Sequence, residues 1–102
     1  MGLRIVVTDY TGEEFERIGD PTNILHRLLP PASDEESTAL LPSIDWYGDT
    51  YFNYLQIRQF LHEWDQLAKR AQKLEERELV EGVKRLARRC QKDRSLLRFI
   101  GD

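Results

Sequence analysis

The chain has 102 residues, enough for one domain with a single core and too few for two. Apolar residues make up 40% and charged residues 32%, the balance of a soluble globular protein, and no window approaches the ~18 apolar residues of a membrane span. The net charge of −3 is unevenly placed: residues 1–50 hold ten acids against three bases, and residues 51–102 hold twelve bases against eight acids. Such asymmetry either marks a partner surface or lets two halves attract each other within one fold, and the second is the commoner arrangement.

The start, MGLRIVVTD, has an apolar run of only Ile5–Val7, too short for a secretory signal core. Met1-Gly2 opens a myristoylation pattern, but Val6 stands where that pattern wants Ser or Thr. Cys90 is the only cysteine, which excludes an internal disulfide framework and any cysteine-cluster metal site. The expected compartment is a reducing cytoplasm.

In chain order, residues 3–8 are β-branched and apolar and predict a strand. Residues 9–19 are polar and acidic. Thr11 and Glu14 have capping-box spacing there, and Phe15 and Ile18 lie three apart, so a helical turn is predicted. Asp20-Pro21 predicts a helix start with Pro at the first position, and Ile24, Leu25, Leu28 and Leu29 form its apolar stripe. Pro30-Pro31 stops that helix, and residues 32–39 predict a polar loop. Residues 40–46 predict a short strand, held to an edge or an end by Pro42.

Gly48-Asp49-Thr50 reads as turn and cap chemistry before a long helix from Thr50 to Lys73. At about 100° per residue, Ile57, Phe60, Leu61, Trp64, Leu67, Ala68, Ala71 and Leu74 fall on one arc. Leu79, Val80, Val83, Leu86, Ala87 and Cys90 form a second arc, out of phase with the first because Leu74 to Leu79 is a step of five. A break near residues 74–77 and two packed helices follow, with one bent helix as the alternative. Residues 96–100 predict a closing strand.

Neither terminal strand is stable alone, because its backbone groups need partners. The predicted fold is therefore α+β: two long helices and one short helix packed on a small antiparallel sheet that includes both chain termini, in a single domain spanning 1–102.

The search for chemistry mostly excludes. No GxxxxGK[ST], GxGxxG, GxSxG, HExxH or Cys-His spacing is present. His26 and His62 have no evident nucleophile or orienting acid. Asp45, Asp49 and Asp102 do not have EF-hand spacing, and Asp49 reads more simply as a turn residue. No catalytic residue, metal site or cofactor is expected. Lys84, Arg85, Arg88, Arg89 and Lys92 lie opposite the second apolar arc, where a nucleic-acid contact helix would carry them. Glu81 sits among them, spaced for local ion pairs with Lys84 and Arg85, and the acidic whole argues against a phosphate-backbone binder. Asn53 and Gln56 fall at the edge of the first apolar face, where an amide needs a partner, either in the turns nearby or across a groove.

Trp46, Tyr47, Tyr51 and Tyr54 crowd into nine residues with Phe52. Such rings are the usual interface anchors, and they also make partly buried corners. Together with Glu13, Glu14 and Glu16 and the acids at 34–36 they are the candidate contact surface.

The run Ile44-Asp45-Trp46-Tyr47-Gly48-Asp49-Thr50-Tyr51-Phe52-Asn53, followed by Gln56 and Glu63-Trp64, resembles a pattern in small bacterial immunity-type proteins of polymorphic toxin systems and their uncharacterised relatives. The ending Leu97-Arg98-Phe99-Ile100-Gly101-Asp102 resembles it too. The resemblance implies a non-enzymatic protein that binds and blocks a cognate partner. The expected function is thus a soluble binding protein that neutralises another protein, a toxin with a basic active-site region, through an acidic and aromatic surface. The alternatives are a self-associating regulatory module that dimerises through its helix faces and a nucleic-acid binder using the basic face of the last helix.

Overall fold

The computed structural model describes residues 2–29 and 39–101. The polar loop expected at 32–39 lies outside the described residues except for Ala39, as does Pro30-Pro31. Four strands form one antiparallel sheet: β1 (Arg4–Thr8), β2 (Glu14–Gly19), β3 (Asp49–Asn53) and β4 (Leu96–Ile100), in the spatial order β2-β1-β4-β3. Three helices, α1 (Ile24–Leu28), α2 (Ile57–Ala68) and α3 (Leu74–Asp93), complete an α+β fold.

The two terminal strands lie at the centre of the sheet. β1 pairs with β4 from Arg4 opposite Ile100 to Thr8 opposite Leu96. This register puts Ile5 beside Phe99 and Val7 beside Leu97 on the face that carries the core. Phe52, Phe60 and Phe99 meet there with ring centroids 5.4–5.9 Å apart, and Trp64 stacks on Phe60 at 5.3 Å. The indole N–H of Trp64 donates to the Val80 carbonyl at 3.0 Å and so ties α2 to α3. Most of both apolar arcs packs into the core, with Leu61 and Ala68 partly buried at its margin.

Several elements differ from the sequence expectation. Residues 9–19 form a β-hairpin, not a helical turn. The Asp9 carboxylate accepts the Thr11 N–H at 2.8 Å, the Thr11 hydroxyl at 2.6 Å and the Glu13 N–H at 2.9 Å, and Gly12 supplies a φ of 93°. The helix-like spacing of Phe15 and Ile18 comes from a bulge. Val7 faces Glu16 while Thr8 faces Glu14, so Phe15 is an inserted residue, and Phe15, Glu16 and Ile18 all turn toward α3.

The predicted strand at 40–46 is instead a single 3-10 turn at Leu41–Ser43, which buries Leu41 and Ile44. The sheet's further strand is β3, in residues assigned above to the start of a helix. Asn53 ends it: its side-chain oxygen accepts the N–H groups of Leu55 and Gln56, both at 3.0 Å, while the Gln56 side chain accepts the Asn53 N–H at 2.9 Å. These two amides are the clasp that turns strand into helix. The break between α2 and α3 falls at 69–73 rather than 74–77. Leu74 is 72% exposed and belongs to neither arc, so the step of five was counted from the wrong residue. Glu76 accepts the N–H groups of Gln72 and Lys73, both at 3.0 Å, and caps α3. α1 begins at Ile24, with Pro21 in the preceding turn, but Asp20 still caps it through Ile24 N–H at 2.9 Å and Leu25 N–H at 2.8 Å.

Candidate functional site

The acidic and aromatic candidates do not come together. Glu13, Glu14 and Glu16 belong to the β1–β2 hairpin at one edge of the sheet, and Tyr47 and Tyr51 to β3 and its approach at the other, with β1 and β4 between. Glu13 is exposed. Glu14 pairs with Arg17. Glu16 reaches α3, where it pairs with Arg89 at 3.1 Å and with Arg85; the hydrogen bond from Arg89, then that from Arg85, holds its carboxyl below the usual carboxylate range. These contacts also engage part of the basic arc of α3. Lys84 pairs with Asp65 at 2.8 Å, and Arg85 and Arg89 with Glu16, so the local pairing expected from Glu81 is replaced by pairs to other elements.

The four rings fall into two kinds. Trp46 is half-buried, edge-on to His26 at 5.0 Å. Tyr54 is half-buried with the Arg94 guanidinium 6.0 Å from its ring centre. Tyr47 is 85% exposed and Tyr51 49% exposed. Both exposed rings are held on rigid backbone. The Asp45 carboxylate accepts the Tyr47 N–H at 2.9 Å, and the Asp45 N–H donates to the Thr50 hydroxyl at 2.8 Å. Gly101 N–H donates to the Gly48 carbonyl at 2.7 Å and pins this turn to the end of β4. Tyr51 lies on the sheet face turned away from the helices, beside Arg98 in the register; the Arg98 guanidinium sits 5.3 Å over its ring and pairs with Asp49.

The strip is therefore Asp45, Tyr47, Asp49 and Tyr51, with Arg98 behind it. Sequence reasoning named the two tyrosines, assigned Asp49 to turn chemistry and left Asp45 outside the contact surface. The signal available was alternation: Asp49 and Tyr51 share a face only if 49–53 is a strand.

A cleft of about 360 Å³ lies between α1, the 3-10 turn and α2, lined by Leu28, Leu41, Glu63 and Arg70 among others. Its charged groups hold the fold: Glu63 accepts the N–H groups of Leu40 at 2.9 Å and Leu41 at 3.0 Å, and Arg70 donates to the Leu28 carbonyl at 3.1 Å. Cys90 is buried, its thiol donates to the Ser95 carbonyl at 3.1 Å, and burial pushes its pKa up to about 11. Among the described residues no group of three His, Cys, Asp or Glu side chains is placed to hold a metal ion, and no helix is long and apolar enough to cross a membrane.

Comparison with protein-family models, with curated proteins and with solved structures finds no match to this chain.

Proposed function

We propose that this chain is a non-enzymatic, cytoplasmic binding protein that engages a cognate protein through the strip Asp45–Tyr51 and neutralises it in the manner of an immunity-type inhibitor. The observation that supports the reading is the 85% exposure of Tyr47, on a turn fixed by Asp45 and by the Gly48–Gly101 bond. A large ring presented on a fixed turn loses little entropy when a partner covers it. Asp45 stands beside it and gives the strip an acidic group suited to steering a basic partner, whereas Asp49 is paired with Arg98. Glu16, spent on Arg85 and Arg89, is not part of this surface, and Glu13 and Glu14 sit at the other edge.

The test is co-purification with the product of the neighbouring reading frame, followed by titration calorimetry. Tyr47→Ala and Asp45→Lys are expected to weaken binding at least about tenfold, the ordinary cost of losing an interface anchor. Glu13→Lys is expected to leave it unchanged. If the partner binds all three variants as it binds the wild type, the strip is not the interface; if no encoded neighbour binds, the neutralising role is lost.

A further inference from the structure

We infer that β3 is a self-pairing edge, through which two copies of this chain join their sheets antiparallel about a two-fold axis at Thr50. The argument starts from ladder parity. Gly101 N–H donates to the Gly48 carbonyl, so these two residues form a hydrogen-bonded pair at the end of the β3–β4 register. In an antiparallel ladder such pairs alternate, so Thr50 and Phe52 bond β4 while Asp49, Tyr51 and Asn53 aim their N–H and C=O groups outward. Asn53 spends both groups on Gln56, at 2.9 and 3.0 Å. Among the described residues nothing takes the outward groups of Asp49 and Tyr51.

The other edge of the sheet is guarded. β2 carries the bulge at Phe15 and the Glu14–Arg17 pair, and Glu16 is tied to α3. A bulge and edge charges are the usual devices against edge-to-edge pairing. β3 is unbulged, and its sequence Asp-Thr-Tyr-Phe-Asn places an exposed tyrosine at its middle.

Register follows from which groups are free. Pairing about Thr50 sets Asp49 opposite Tyr51 of the second copy and satisfies all four outward groups of each chain. Pairing about Tyr51 would set Asp49 opposite Asn53, whose groups are already spent. Charge agrees with the first register: Asp49 faces a tyrosine, not a second aspartate, and Arg98 backs both residues in each copy. The product is an isologous dimer with an eight-stranded sheet and all helices on one face. This does not rest on the proposed cognate partner: it is argued from the main chain of Asp49 and Tyr51, which lie in the strip assigned to that partner, so the dimer and the partner would compete for it.

Sedimentation equilibrium of the full chain, from about 10 μM to about 1 mM, tests it in the range expected of a small interface. The mean mass is expected to rise from the chain mass of 12.1 kDa toward twice that value. Tyr51→Pro deletes an outward N–H without touching the β4 ladder and should hold the mass at that of one chain throughout, whereas Tyr51→Val should preserve the rise. Should Tyr51→Pro fail to fold, amide exchange of the wild type decides. The Asp49 and Tyr51 amides should exchange at least about tenfold more slowly at the high concentration, with Arg17 and Gly19 on β2 unchanged. A constant mass up to about 1 mM, a rise that survives in folded Tyr51→Pro, or protection confined to β2 or the helices overturns the proposal.

Discussion

At the scale of single residues, one tight constraint is a missing side chain. A Cβ on Gly101 would lie 2.3 Å from the Trp46 carbonyl oxygen and 2.4 Å from its carbon, both backbone atoms of the turn that carries Tyr47. Neither can swing aside as a flexible side chain would. Gly101→Ala is expected to destabilise the fold by about 1–3 kcal/mol, the usual range for overpacking, measurable by urea denaturation. Glu16 gives a prediction with a sign. Its folded pKa is held below the ordinary glutamate value of 4.5, first by the hydrogen bond from Arg89. A carboxyl with a depressed folded pKa adds stability that is present above its unfolded pKa and lost as pH falls through the folded one. Glu16→Gln should therefore cost about 0.5–1 kcal/mol near pH 7, as expected of a pair reaching between two elements. The difference from wild type should shrink as the pH falls below 4.5 in parallel urea titrations.

At the scale of elements, short segments depend on side chains that replace missing backbone partners. α1 is five residues long and too short to persist alone, and the buried Asp20 carboxylate takes two of its unpaired N–H groups. Asp20→Ala removes both bonds from a buried site and is expected to cost about 1–2 kcal/mol. The loss should show first as faster amide exchange at Ile24 and Leu25 than at core positions of α3. The Asn53–Gln56 clasp belongs to the same class of device, and it explains why a helix begins at Ile57 although helical periodicity can be extended upstream to Thr50.

At the scale of the whole molecule, the order β2-β1-β4-β3 makes the last strand a central one. β4 pairs on both sides, and its Leu97 and Phe99 are fully buried. Removing residues 96–102 would leave β1 and β3 with no common neighbour and open the aromatic core. That truncation should abolish cooperative thermal unfolding by circular dichroism; a retained melting transition would show that the sheet is not the frame of the fold. The charge asymmetry also resolves at this scale. Acids of the first half meet bases of the second at Glu16 with Arg85 and Arg89 and at Asp49 with Arg98, while Arg27 lies 3.6 Å from Glu76. Part of the imbalance is thus consumed inside the molecule.

The terminal strands, the apolar faces of both long helices and the α+β class were legible because each is written in a local period that survives folding: two residues for a strand, 3.6 for a helix. The hairpin at 9–19 was not, because its bulge at Phe15 breaks the strand period and imitates a helical one. β3 was not, because five residues before a long amphipathic helix can be absorbed into that helix's phase, and only pairing with β4 makes Asp49–Asn53 a strand. The candidate surface divided in the same way. Residue chemistry alone named Tyr47 and Tyr51 as anchors. Whether the glutamates stand beside them depended on strand order, since separation along the chain says nothing about which edge of a sheet a residue occupies. Tertiary pairing therefore sent Glu16 to α3, while Asp45 and Asp49 already stood two residues from Tyr47 and Tyr51, and pairing with β4 put Asp49 and Tyr51 on one face.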